Sequence, residues 1–181
     1  MTEVVRLTLV SHAMTDATSA GRFALDEPLS RLGRRQLESG SGPDDFEYAL
    51  CGPELRTRET AELAGLPAEP EPALADLDVG RWSGVELAAV DPHDLDCWLT
   101  DPTAAPHGGE SIVELVVRVR AWLAGLVERP ARICAITHPA VIRAAVVVVL
   151  DAPPASFWRI DVAPLSRTVL HHRTAGWTLR R

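Results

Sequence analysis

The chain has 181 residues, a formal net charge of −7 and 46% hydrophobic residues, the size of one domain with a sizeable core. That acidic balance argues against a nucleic-acid backbone or an anionic membrane as partner. All 18 basic residues are arginine, which excludes Schiff-base chemistry and a phosphate-loop lysine. Three scattered cysteines, Cys51, Cys97 and Cys134, form no CxxC pair, so neither a disulfide scaffold nor a zinc site is expected.

The opening MTEVVRLTLV is too short and polar for a secretion signal. The longest apolar run, Ala144–Leu150, cannot span a bilayer, and the expected location is cytoplasmic. Residues 4–10 read as a strand and 11–28 as a loop. Ser30 caps a short helix through Gln36 and Leu37, weakened by Gly33. Gly40–Pro43 reads as a turn and Phe46–Cys51 as a second strand. Pro53 opens a helix over about 54–64, which Gly65 closes. Pro67–Pro72 reads as a linker and Gly80–Gly84 as a turn around Trp82. Polar residues 86–106 read as a lid or insertion. Ser111 and Glu114 form a capping box, and Leu115, Val119, Trp122 and Leu126 follow at helical spacing up to Pro130. Ala131–Thr137 reads as a central strand with Cys134 buried, and a helix from about Ala140 to Leu150 follows it. Val162–His172 and Trp177–Leu179 close the chain as two strands. The alternation predicts one domain, a three-layer α/β/α sandwich on a mostly parallel sheet.

Two histidines stand just past apolar strands. His12 follows LTLVS and His138 follows ICAIT. Strand ends are where open α/β sheets place ligands, so both imidazoles are expected to converge on one crevice, facing each other across an anion-sized gap. Pro139 holds His138 extended before its helix begins. Arg56 falls in the first turn after Pro53. A cation there does nothing for the helix dipole and makes sense beside a bound anion; Arg58 is the competing candidate.

These residues resemble a family. LVSHAMT resembles the LVRHGET motif of the histidine phosphatase, or phosphoglycerate mutase-like, superfamily. GPELRTRETAELAG resembles its SPLxRAxQTAE segment. LADLDVGRWSG resembles LxExDFGxWEG, GGES matches verbatim, and ITHPAVIRA resembles VTHGGVIRA. The short length resembles the small bacterial branch that includes α-ribazole phosphatase. The resemblance implies that His12 attacks phosphorus and becomes a phosphohistidine. Arg56 and His138 would neutralise the phosphoryl oxygens, and Asp76 would be the proton donor. Ser11, Ala13, Thr15, Thr18 and Pro139 would line the phosphate site. No cofactor or metal is implied, and the partner is a small phosphorylated metabolite, with a homodimer possible.

The chain departs from these motifs where Ser11 replaces arginine, Ala13 and Pro139 replace glycines, and Thr18 replaces asparagine. A serine hydroxyl donates one hydrogen bond and carries no charge. Arg22, Arg58 and Arg143 are the candidates to replace the missing cation, with Arg143 one turn into the last helix and free to point elsewhere. The other reading is a repurposed member that binds a ligand without hydrolysis. His93 and His107 read as solvated loop residues, with His107 also a candidate cleft residue. His171 and His172 read as opposite faces of one strand. Trp122 reads as core, and Trp82 and Trp98 as core or as an apolar substrate wall.

Overall fold

The computed structural model describes residues 4–38, 46–128, 131–174 and 176–180. The turn expected at Gly40–Pro43, and Pro130, lie outside these residues. Six strands form one sheet: β1 (Val5–Ser11), β2 (Tyr48–Cys51), β3 (Glu69–Pro70), β4 (Arg132–Thr137), β5 (Arg167–Arg173) and β6 (Gly176–Arg180). Their order is β3-β2-β4-β1-β5-β6. The pairs among β1 to β4 are parallel, and β5 and β6 add antiparallel at one side.

Strand alternation assigns the two faces. On one face Leu7, Leu9, Ile133 and Ala135 join Val141, Ile142 and Leu115 in the main core. On the other, Cys51, Cys134 and Ile136 pack with Ala61 in a smaller cluster. Helices α5 (Ile112–Leu126) and α6 (Pro139–Val149) cover the first face, and α3 (Leu55–Leu63) covers the second. The expected three-layer sandwich is therefore present. Full burial of each Leu or Ile contributes roughly 1.5–3 kcal/mol, which makes β4, buried along nearly all its length, the strand that ties the layers together.

Local signals account for most helix ends. The Ser111–Glu114 capping box is formed in both directions. Ser30 Oγ accepts from Gly33 N–H at 3.1 Å and starts α2 (Arg31–Glu38). Four elements differ from expectation. The stretch Pro67–Pro72, read as a linker, holds β3, two residues that pair parallel with the end of β2. The first loop contains a five-residue helix, α1 (Asp16–Ala20), capped by Thr15 and closed by Gly21 in the left-handed region; it is too short for a periodicity to show. Residues 92–100 form helix α4, started by Asp91 and Pro92, whose Trp98 is buried. The fifth strand begins at Arg167, and Pro154–Arg159 form a 3-10 helix that buries Phe157. Among the described residues, no helix is long and apolar enough to cross a membrane.

Candidate active site

Register brings the two histidines together. β1 and β4 are parallel neighbours with Ser11 opposite Thr137, so the next residue on each strand is a histidine. His12 N–H donates to Thr137 O at 2.9 Å, locking the two strand ends. The rings lie 5.2 Å apart between centroids, edge against face. The expected anion-sized gap between them is therefore not there; the imidazoles are in contact. His12 Nδ1 lies 2.8 Å from Ala13 O. A carbonyl only accepts, so Nδ1 carries the proton and Nε2 keeps its lone pair. Burial, reinforced by His138, pushes the His12 imidazole down to about 4, so the ring is neutral at physiological pH.

Arg56 and Asp76 meet beside them. Arg56 is buried at the start of α3 and donates through Nη2 to Asp76 Oδ2 at 2.7 Å and through Nη1 to Leu25 O at 3.0 Å. Asp76 Oδ2 also lies 3.3 Å from His138 Nδ1. Burial alone would raise the Asp76 carboxyl, but His138, Arg56 and His12 outweigh it and hold it near 2. A second carboxylate completes the group. Glu54 Oε2 is 2.8 Å from His138 Nε2, and Glu54 Oε1 accepts from Asp76 N–H at 2.9 Å. His138 thus has a carboxylate at each ring nitrogen and is 0% exposed.

A cavity of about 660 Å³ opens over this cluster, lined by His12, Glu54, Arg56 and Asp76 and walled by Phe23, Trp98, Phe157 and Trp158. Thr18 and Pro139 line it as well. Ser11, Ala13, Thr15 and His138 are buried and do not line it. Thr15 Oγ1 accepts from Thr18 N–H at 3.2 Å and contacts the Thr18 hydroxyl, so it serves the cap of α1. Ala13 N–H donates to Thr60 Oγ1 at 3.1 Å. Of the three arginines weighed beside Ser11, Arg22 and Arg143 line the cavity; Arg58 is exposed elsewhere. Arg22 is paired with Glu27 at 2.9 Å. Arg143, free to point away as far as sequence could tell, turns inward: its Nε donates to Ile160 O at 2.7 Å and its guanidinium lies over Phe157 and Trp158. His107 is buried against Trp82 and Trp98 rather than solvated or in the cleft, and Gly109 N–H donates to its Nδ1. Among the described residues, no group of three or more His, Cys, Asp or Glu is placed to hold a metal.

Two features escaped sequence reasoning. Glu54 was readable: it stands in GPELRTRETAE where the motif SPLxRAxQTAE has leucine, and a carboxylate in an apolar place is a signal. The clamp on Asp76 was not readable. Arg118, from α5, donates to Ala73 O, Ala75 O and Asp76 O and is paired with Glu110 at 2.7 Å. Gly109 fits there because a Cβ would come 2.1 Å from Asp78 O. GGES is thus the brace of the Asp76 loop.

A covered, mostly parallel sheet with its polar cluster at one end, just past β1 and β4, makes this a phosphoglycerate mutase-like α/β protein. The chain belongs to the histidine phosphatase superfamily, branch 1, whose family model matches residues 7–181. Phosphoserine phosphatase 1 of Hydrogenobacter thermophilus is 27% identical over 183 residues, covering 93% of this chain and 87% of that protein. Glucosyl-3-phosphoglycerate phosphatase of Mycobacterium tuberculosis is 33% identical over 134 residues, 67% of this chain and 60% of that protein. Among solved structures, a putative alpha-ribazole-5'-P phosphatase from Escherichia coli superposes with a TM-score of 0.85 at 25% identity, over 97% of this chain and 94% of that one. The family and fold implied by the five motifs are borne out.

Proposed function

We propose that the protein hydrolyses phosphomonoesters of small metabolites, with His12 as the nucleophile. The observation that carries this reading is the tautomer of His12: a neutral, buried imidazole whose Nδ1–H is held by Ala13 O and whose Nε2 is left with a lone pair. Nε2 attacks phosphorus, and an N–P bond forms as the bond to the leaving oxygen breaks. That oxygen takes a proton from Asp76. Water then attacks the phosphohistidine, gives a proton back to Asp76, and the N–P bond breaks to release phosphate and restore His12. In the free protein Asp76 is a poor acid, because His138 and Arg56 hold it ionised. An arriving phosphoryl group competes for Arg56 and sets negative charge beside the carboxylate. Both changes raise its proton affinity.

We read Thr18 and Pro139 as substrate contacts, since both line the cavity, and Ser11, Ala13 and Thr15 as supports of the His12 loop. Segment 86–106 is read as the cover, because its Trp98 forms part of the wall. The relatives named for phosphoserine and glucosyl-3-phosphoglycerate support a small phosphorylated metabolite as substrate. Release of phosphate from 4-nitrophenyl phosphate tests the reading. Wild type should turn over, and His12→Ala should lose at least a hundredfold; equal slow release by both proteins refutes it. A ligand binder without turnover is the second reading, favoured by the uncharged Ser11, and that null result would leave it standing.

A further inference from the structure

We infer that Glu54 governs access to the Nε2 edge of His138: its carboxylate occupies that nitrogen in the free protein, and a phosphoryl group gains Nε2 only as Glu54 lets go and takes up a proton. The inference rests on the phosphatase reading above and adds a residue and a protonation requirement to it.

The placement is built rather than incidental. Oε2 sits 2.8 Å from His138 Nε2 while Oε1 accepts from Asp76 N–H, so both oxygens are engaged. Gly52 makes the room: a Cβ there would lie 2.9 Å from Glu54 Oε2 and 3.0 Å from His138 Nε2. His138 itself is sealed, with Glu54 lining the cavity in front of it. Any oxygen that is to bond Nε2 must take the place of Oε2. The groups facing Glu54 are His138 at the start of α6, Asp76 on the loop before the Trp82 turn, Cys51 at the end of β2, and Arg56 on the helix that Glu54 starts. Asp26 also caps that helix start, accepting from Leu55 N–H at 2.7 Å. Arg58 points to solvent.

Charge gives the direction. Burial would raise the Glu54 carboxyl, and its hydrogen bond and charge interaction with His138 outweigh that and lower it. Once the pair is broken, burial remains and a phosphoryl anion is added, so the displaced carboxylate takes a proton. Binding the dianion without that proton would place three negative groups, Glu54, Asp76 and phosphoryl, around one arginine and one histidine.

Linkage sets the expected size: one proton taken up per ligand bound makes affinity fall tenfold per pH unit. Inorganic phosphate is titrated calorimetrically into the full chain near pH 6 and pH 8, in two buffers of different ionisation enthalpy, which counts protons. Wild type should take up about one proton at pH 8 and bind more weakly there. Glu54→Gln should take up about one proton fewer than wild type, and its affinity should fall about tenfold less per pH unit, since uptake by Asp76 and the ionisation of phosphate itself are common to both proteins. On 4-nitrophenyl phosphate its KM at pH 8 should be at least tenfold below that of wild type, with kcat changed less. Glu54→Leu should behave alike, which guards against a folding artefact in either variant. The inference is overturned if wild type takes up no proton at pH 8, or if both variants keep its pH slope. In those cases continued turnover by wild type leaves the phosphatase reading intact. If wild type neither binds phosphate nor hydrolyses the ester at either pH, that reading fails and this one with it.

Discussion

Replacing Gly33 with alanine separates helix propensity from tertiary constraint. In a free helix the change should stabilise, since glycine costs about 0.8–1.0 kcal/mol relative to alanine. In α2 it meets the backbone that follows His12: the new Cβ would lie 2.3 Å from Met14 O and 3.0 Å from Met14 N. Backbone cannot swing aside as a side-chain tip can, and Met14 O is already held by Ser30, which donates to it from N–H at 2.9 Å and from Oγ at 3.0 Å. Overpacking of this kind costs roughly 1–3 kcal/mol, which exceeds the propensity gain. Gly125 is the control: it is helical, exposed, and a Cβ there meets nothing within 4 Å. Gly33→Ala should therefore lower Tm by several degrees while Gly125→Ala leaves it equal or raises it slightly, at about 2–4 °C per kcal/mol for a chain of this size. Thermal unfolding followed by circular dichroism reads both. Turnover of Gly33→Ala should fall as well, because the displaced backbone carries the His12 loop. Equal stabilisation by the two substitutions would refute the claim that α2 is fixed against the site.

Three further outcomes follow from the same contacts. His12 has a folded value near 4 against the ordinary 6.5, so the unfolded chain binds more protons between these values and stability must fall as pH drops through that window, by up to about 3 kcal/mol. Urea unfolding at several pH values checks this, and His12→Asn should flatten the dependence. Arg56→Ala should cost on the order of a hundredfold in kcat/KM, about 3 kcal/mol, and Arg56→Lys should recover little, because one ammonium cannot span Leu25 O and Asp76 as the guanidinium fork does. Arg118→Ala should destabilise by about 2 kcal/mol through lost charged hydrogen bonds to three carbonyls and Glu110. It should lower kcat more than it raises KM, since it loosens the loop that carries Asp76.

What the sequence made legible was local. Alternation located β1 and β4, and the apolar run through Cys134 marked β4 as central. Ser111 and Glu114 announced the start of α5, and residue order placed both histidines just past strand ends. What stayed hidden depends on contacts between distant segments. Nothing near Arg118 says that it reaches the carbonyls around Asp76. Nothing near Gly33 says that Met14 lies against it. His107 sits in a Pro/Gly loop that reads as solvated, yet it is buried by aromatic partners from two other segments, Trp82 and Trp98. The short α1 was missed because a five-residue helix held by one threonine cap carries no period.

The charge of the site separates what the fold fixes from what this chain has chosen. Parallel pairing of β1 with β4 dictates that residues 12 and 138 touch, and no surface substitution can move them apart without breaking the register. Charge is set residue by residue. At position 11 an uncharged hydroxyl lies buried without a partner. The cavity's arginines are engaged elsewhere: Arg22 with Glu27, Arg143 over Phe157 and Trp158, and Arg56 with Asp76. Glu54 adds an anion at the opposite side. The cavity therefore counts four acids, Asp26, Glu54, Asp76 and Asp78, against three arginines. A pocket so balanced cannot draw in an anion by field alone; it must exchange internal ion pairs for contacts to the ligand. Each such exchange frees a carboxylate in a buried setting, where the neutral form is favoured. Proton uptake thus follows from the charge inventory together with the register of two strands, and the acid side of neutrality is where this arrangement of an otherwise shared scaffold should work best.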